Sequence, residues 1–434
     1  MKPLTSLLSG VVLLVLGTGL LFSAIGAQAD SAQFPVFVTG LVMSAYFAGY
    51  ICGTFACPAI IRRVGHIRAF AAMASVASTL PILHALWIDP WFWGFLRFVT
   101  GVCLVGLLLV VESWLSVVAQ SHQRGKVFAV YMAVGGVAMA LGQWMILLGD
   151  RFGFIPFAMV SVLFSFALLP ITLTPVQEPE PTATPKLSLL ELFATSPIGV
   201  LASVASGMLV GAFYSLGHVF AQRVGFSEVG IATFMAAAIL GGAAFQWPVG
   251  HLSDTYDRRW VLFWVCIAGA VVAATGFYLA LGSEVALIAL GIVYGGLTFT
   301  LYGLCIAHVN DLIDRSRVLE VTGGLLLLHG IGATIGPTVA GAMMELTGPG
   351  SLLLYFVIVL LMLALGTWHY IRKRPLNRGE PGHKADYVVM GGSLQSALLL
   401  DPRAPESIAP ADETLHDLAH ANDASRPWER NTSN

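Results

Sequence analysis

Apolar residues run along this chain in long blocks separated by short polar or turn-rich breaks, without the strict alternation of a half-buried strand. Stretches long enough to cross a hydrocarbon layer of about 30 Å recur at about residues 4–28, 36–61, 69–88, 91–118, 127–149, 153–173, 198–221, 228–250, 260–281, 285–308, 321–345 and 351–370. The pattern predicts twelve membrane-spanning helices. The close pairs around Pro90, Gly153, Gly282 and Pro349 are split by turn residues instead of long polar loops.

A segment rich in proline and glutamate, TPVQEPEPTATPKLSLLELF, stands between the sixth and seventh spans and suits an extended connector with a short amphipathic end. It divides the chain into a six-helix unit at 1–173, a linker at 174–197 and a second six-helix unit at 198–372. The tail at 373–434 has little periodicity and is expected to be largely disordered, with Tyr387 to Met390 and Leu398 to Leu400 too short to build a core. The two units resemble each other: RFVTG at Arg97–Gly101 precedes GIVYG at Gly291–Gly295 by the same offset that separates Gly142 from Gly336. Two six-span bundles related along the membrane normal are one recurrent transporter plan, with the substrate path between them near the bilayer midplane.

Composition agrees with lipid as the main solvent: 57% of the 434 residues are hydrophobic, only 11% are charged, and the mean hydropathy is +0.80. A net charge of −2 lacks the broad basic field of a nucleic-acid binder, and no zinc-finger spacing or P-loop glycine pattern occurs. The five cysteines (Cys52, Cys57, Cys103, Cys266, Cys305) lie in hydrophobic runs without CxxC spacing, so we read them as small buried apolar residues; no metal site or cofactor is expected. Lys2, a long apolar run and Ala27-Gln28-Ala29 imitate a secretory signal. The run Leu7–Ile25 exceeds the core of about 7–15 residues typical of one, and it is expected to stay as the first span.

Lysine and arginine in the connections fall on one side of the predicted bundle: Lys2; Arg62, Arg63 and Arg68; Arg124 and Lys126; Lys186; Arg258 and Arg259; Arg315 and Arg317; and Arg372 to Arg378. The other side carries only Arg151 and Arg223, so the positive-inside rule places both termini and the middle loop in the cytoplasm of a cell with an inner membrane.

Span eight ends FQWPVGHLSDTYDRRWVL, with Gly250, Asp254, Arg258 and Arg259 in the order glycine, aspartate, basic cluster. This resembles the loop motif of the major facilitator superfamily. Arg97 with Gly101 is similar to that family's fourth-span motif, and ESWL at Glu112–Leu115, RGK at Arg124–Lys126 and QWPVG look most like its YcaD-like subfamily. The resemblance covers about residues 4–372 and implies an all-α integral membrane protein with twelve transmembrane helices in two pseudo-symmetric six-helix bundles. In the first copy of the loop motif arginine stands where the family has aspartate (Pro58, Arg62, Arg63, Gly65, Arg68), so the gating network it implies should be stronger in the second half. Span five lacks the glycine-proline motif of proton-coupled drug exporters; a comparable pattern lies in span eleven, at Gly332, Gly336, Pro337 and Gly341.

An ionised side chain facing hydrocarbon costs several kcal/mol, so charges in spans normally face a protein interior, a watery cavity or each other. Arg97 lies about 10 Å in from the outer end of span four. It is either a cavity arginine that binds an anionic group or biases a nearby acid, with Asp30 at the outer end of span one as its candidate partner, or a structural bridge between helix backbones. Glu112 shares a similar helix face but is about 22 Å further along the axis, so the two cannot touch. Glu112 is expected to meet Arg63, Arg68 or Arg124 at an inner gate; the alternatives are a proton carrier and a plain surface ion pair.

Asp254 can accept hydrogen bonds from free backbone N–H groups at the start of a neighbouring helix and so hold one access state. Arg258 and Arg259 would pair with acids at inner helix ends, or only set topology. Weaker candidates for the substrate or proton path are Tyr214 and His218, one turn apart on span seven, and Tyr294 and Tyr302 on span ten; His308 and His329 are less specific. Gly332, Gly336 and Gly341 let span eleven approach a neighbour, and Pro337 can bend it.

The reading is a monomeric secondary transporter moving a small solute by alternating access, with protons as the expected coupling ion. It needs a lipid bilayer, and no enzymatic reaction, cofactor or nucleic acid is implied. The rival is a membrane sensor or scaffold on a transporter-like frame.

Overall fold

The computed structural model describes residues 2–118, 124–174, 189–279, 283–313, 317–373 and 387. Each long apolar block forms helix, as it must where no water is present to satisfy backbone N–H and C=O groups. The first half comprises α1 (Lys2–Ser31), α2 (Val36–Val64), α3 (His66–Leu86), α4 (Pro90–Val118), α5 (Arg124–Trp144), which ends in a 3-10 turn at Met145–Leu148, and α6 (Ile155–Thr172). A short α7 (Leu189–Thr195) stands before the seventh crossing, with Leu192 buried and Phe193 exposed. The second half comprises α8 (Pro197–Arg223), α9 (Glu228–Thr255), α10 (Arg258–Leu279), α11 (Glu284–Thr298), α12 (Leu301–Asn310), α13 (Val318–Thr347) and α14 (Ser351–Lys373).

Twelve of these segments are long and apolar enough to cross a membrane, with α11 and α12 together making the tenth crossing. The single helix expected there is interrupted at Phe299–Thr300. At that point side chains bond to backbone carbonyls: Thr298 Oγ1 donates to Tyr294 O at 2.7 Å, Thr300 Oγ1 to Leu297 O at 2.8 Å, and Gln246 Nε2 to Phe299 O at 3.4 Å. With the helices alternating in direction, one face of the bundle carries Lys2, the turns after Val64, Val118, Thr255 and Asn310, and Lys373. This is the terminal face; the opposite one is the far face.

Buried apolar side chains form two large clusters, one built mainly from α1–α6 and the other from α8–α14. Glycine sets the closest helix crossings, and it does so in matching places. A Cβ on Gly101 of α4 would meet the Tyr46 carbonyl of α2, and one on Gly49 of α2 would meet the Phe98 carbonyl. In the second half, a Cβ on Gly295 of α11 would meet the Ala238 carbonyl of α9, and one on Gly241 of α9 would meet the Ile292 carbonyl. Gly142 presses α5 on α1 at Leu16 as Gly336 presses α13 on α8 at Met208. The sequence repeat is therefore a repeat of backbone contacts, of the kind that hold helices together where lipid supplies no hydrophobic force.

Because backbone atoms block these positions, Gly101→Ala and Gly295→Ala are each expected to destabilise the protein by about 1–3 kcal/mol. Gly94→Ala, whose added Cβ meets nothing within 4 Å, should leave stability unchanged or slightly raised. Thermal unfolding in detergent checks this; equal midpoints for all three would contradict it.

Candidate functional site

The two halves are tied together towards the far face. Asp30, at the end of α1, accepts from Arg223 Nε at 2.6 Å and from Gln222 Nε2 at 2.8 Å, both at the end of α8. Arg151 reaches Glu228 at 3.3 Å. The Val36 N–H, at the start of α2, donates to Glu345 Oε2 of α13 at 2.6 Å, and Ser44 bonds Thr338 at 2.8 Å. Trp144 Nε1 donates to Thr233 Oγ1 at 3.2 Å, between the ends of α5 and α9. Gly40 and Gly341 bring α2 and α13 into backbone contact beside these bonds. Each of these ties lies in the far half of its helices.

Towards the terminal face α2 and α13 leave a cavity of about 250 Å³ between the halves. Its walls include Tyr46, Tyr50, Thr54 and Phe55 of α2, Leu108 of α4, and Leu326, Leu327 and His329 of α13. No lining side chain is a carboxylate, lysine or arginine. The polar groups are two phenols, the Thr54 hydroxyl and the His329 imidazole, whose Nδ1 is 2.9 Å from Ser206 Oγ and whose ring centroid is 4.6 Å from that of Tyr302. The site is thus aromatic and uncharged, with a few hydrogen-bonding groups to orient a ligand.

Two charges are buried close to this cavity without lining it. Arg97 of α4 is fully buried, with its guanidinium carbon 4.4 Å from the Phe22 ring centre and 4.5 Å from that of Tyr46. None of its nitrogens has a hydrogen-bond acceptor among the described residues. The expected pairing with Asp30 does not form, because Asp30 is engaged by Arg223 and Gln222 at the far face. Two aromatic faces offset part of the cost of burying this cation, each by about 0.5–2 kcal/mol. Tyr46 is wall to both Arg97 and the cavity.

Glu112 of α4 is 1% exposed and is the one fully buried carboxylate among the described residues. Tyr131 of α5 donates its hydroxyl to Glu112 Oε1 at 2.7 Å. The gate expected between Glu112 and Arg63 or Arg68 is not formed: both arginines are exposed, while Glu112 faces inward. The Arg124 side chain lies outside the described residues. The cause is helix rotation, since the face of α4 that carries Glu112 packs within the first half.

At the terminal end of α9 the loop motif does form a network. Arg258 bridges Asp254 at 3.1 Å and Asp311, at the end of α12, at 2.8 Å. Arg259 pairs with Asp257 at 2.8 Å. Burial pushes the Asp257 carboxyl up, but hydrogen bonds from the Arg259 side chain and backbone N–H more than offset that, so it titrates below its usual range. Asp254 also accepts from the backbone N–H of Tyr387 at 3.0 Å, and the Tyr387 ring packs against the second core cluster. Tyr387 thus packs on a core that the spans build, which is compatible with a tail stretch too short to build its own.

Other expected site residues sit in aromatic packing. Tyr214 stacks on Phe299 with centroids 5.6 Å apart and approaches Phe22 across the halves. Tyr294 stacks on Phe356 at 4.7 Å, away from the cavity. His218 is buried against Gly26, and neither ring nitrogen has a hydrogen-bond partner among the described residues. Tyr302 reaches the cavity edge through His329. Pro337 lies inside α13 where its carbonyl meets Gly40, and Gly332 lets α13 rest on Val204 of α8. Cys52 is exposed, against expectation, because the apolar surface of a span also faces lipid; the other four cysteines are buried. Tyr46, Tyr50 and Thr54 were missed as site residues, although their four-residue spacing on one apolar span is a legible polar stripe.

Comparison with known proteins agrees with this architecture. A family model described as the Major Facilitator Superfamily matches residues 7–316 and 220–422. The chain is 27% identical over 351 residues to a Salmonella arizonae protein named "Uncharacterized MFS-type transporter YcaD", covering 79% of this chain and 89% of the relative. The Salmonella typhimurium protein of that name is 26% identical with the same coverage. Among solved structures, the nucleoside transporter NupG superposes with a TM-score of 0.71 at 16% identity, covering 86% of this chain and 100% of that one. A bacterial homologue of the human lysosomal transporter Spinster, inward-facing and occupied, superposes with a TM-score of 0.69 at 16% identity, covering 87% and 98%. At such identities the likeness is one of fold.

Replacing a buried, unpaired charge by an apolar side chain of similar length is often stabilising. Arg97→Met is therefore expected to raise stability by about 1 kcal/mol, whereas Arg97→Ala should lose stability through the cavity it leaves. Thermal midpoints in detergent check the sign; a large fall for Arg97→Met would mean that the cation is a structural partner.

Proposed function

Since the chain belongs to the Major Facilitator Superfamily, we propose that it moves a small, uncharged aromatic or amphipathic solute by alternating access, coupled to protons through Glu112. Transport of a solute across the membrane is what the family and the twelve apolar helices support, in a multi-pass protein of the bacterial inner membrane. The carrying observation for the rest is the asymmetry between the halves: hydrogen bonds and ion pairs close the far face, and a cavity lies between the halves towards the terminal face. The basic residues gathered on the terminal face support reading it as cytoplasmic, with both termini there. A single chain contains both halves of the cavity, which suits a monomer.

The uncharged lining supports a neutral solute. Tyr50 and Thr54 would orient it, and Arg97, behind Tyr46, would act through the wall rather than by direct contact. Glu112 supports proton coupling because ionisable groups buried within membrane spans are the usual proton carriers, and Tyr131 holds it by a hydrogen bond inside the first half.

Thermal stability of the full chain in detergent, at about pH 6 and about pH 8, tests this with neutral aromatic solutes and matched organic anions. At about ten times Kd a ligand stabilises by roughly 1.4 kcal/mol. Neutral solutes should raise the midpoint, Tyr50→Ala should abolish the rise, and Glu112→Gln should remove its pH dependence. Stabilisation by anions alone, or a rise that survives Tyr50→Ala, would overturn the substrate assignment; an unaltered pH dependence in Glu112→Gln would overturn the coupling role.

A further inference from the structure

At the terminal end of α9, Gln246, Gly250 and Asp254 stand four residues apart and form one stripe. Opposite lies Gly303 of α12. Tyr387 fills the space between them. Its backbone N–H donates to Asp254 Oδ1 at 3.0 Å and its hydroxyl donates to Gln246 Oε1 at 2.5 Å. For a Cβ added at either Gly250 or Gly303, the three nearest atoms all belong to Tyr387. These two glycines therefore leave room for a tyrosine, unlike Gly101 or Gly295, which leave room for a helix backbone. Asp254 is held in place by Arg258, itself anchored on Asp311.

We propose that this notch is a docking site for the chain's own C-terminal tail, with Tyr387 as the anchoring side chain, and that the docked tail favours the state open to the terminal face. A backbone N–H and a phenol are read by a carboxylate and an amide, and the ring is accommodated by the missing side chains of two glycines. An extended chain of the length separating Lys373 from Tyr387 spans up to about 45 Å, ample to reach the notch from the end of α14. Tethering makes the encounter intramolecular, so a weak contact is well populated. The consequence for the transport cycle follows from Asp254. Its carboxylate is suited to the free N–H groups at a helix start, a contact that would draw the halves together at the terminal face. With Tyr387 bound, one of its oxygens takes a tail N–H instead.

Two readouts on the full-length protein test the two parts separately, since only the second rests on alternating access. The first is hydrogen–deuterium exchange of the peptide containing Tyr387. The tail peptide should be protected in the parent protein, and Gly250→Ala and Tyr387→Ala should each speed its exchange at least about threefold. The second is alkylation of Thr54→Cys, in a Cys52→Ser background, by a water-soluble maleimide. Truncation after Lys373 and Gly250→Ala should each slow it by about threefold or more, and their effects should not add. Tail exchange unaffected by Gly250→Ala would overturn docking. Faster tail exchange with an unchanged alkylation rate would retain docking and overturn its effect on access; an effect of Gly250→Ala that persists in the truncated chain would show that the residue acts without the tail.

Discussion

Close approach of helix backbones at glycine is the constraint on which this structure rests. In lipid, apolar side chains gain little by leaving one hydrocarbon surface for another, so helices are held by packing and by hydrogen bonds. Gly49 with Gly101, and Gly241 with Gly295, bring the second crossing of each half against the fourth at backbone distance. Those contacts leave the side chains of α4 few places to go. Arg97 is pressed between Phe22 and Tyr46, and Glu112 is turned towards Tyr131. Burial of two opposite charges on one apolar helix is thus a result of how that helix is packed, with each charge in a separate environment.

The same packing explains why the two faces differ. Far-face ties between the halves join one backbone contact, α2 on α13 at Gly40 and Gly341, to polar links that are individually modest, such as the ion pairs Asp30–Arg223 and Arg151–Glu228, and these links can be exchanged for others. Inside each half backbone-against-backbone contacts are more numerous, at Gly49, Gly101 and Gly142 and at Gly241, Gly295 and Gly336, and they are not easily exchanged. A molecule built in this way is stiff within its halves and weakly latched between them. That is the condition for a rigid-body switch between two access states around one cavity.

Much of the fold was legible in the sequence because lipid requires long apolar blocks, and twelve blocks give twelve crossings. The repeat was legible because two of the glycines that permit backbone contact, Gly101 and Gly142, recur at one offset as Gly295 and Gly336. What escaped depends on helix rotation or on single side chains. The break at Phe299–Thr300 follows from hydroxyl and amide groups capturing carbonyls, which hydropathy does not register. Glu112 and Arg97 were expected at a gate and beside Asp30 because their depth can be counted along the chain, whereas the direction they face cannot. Tyr46 and Tyr50 escape because a neutral polar stripe stands out less than a charge on an apolar span, and the seat of Tyr387 escapes because one residue in a polar tail carries no periodic signal.

On the proposed reading, the far-face ties hold one of two rigid arrangements of the halves. Paired spin-label distances test it most directly, with one pair at Gln33 and Val229 on the far face and another at Arg68 and Thr255 on the terminal face, each with and without Asp30→Asn. Loss of the Asp30 charge should add a longer far-face distance and, in the same fraction of molecules, a shorter terminal-face distance. A far face that loosens while the terminal face stays unchanged would contradict it, because the halves would then be fraying instead of rocking.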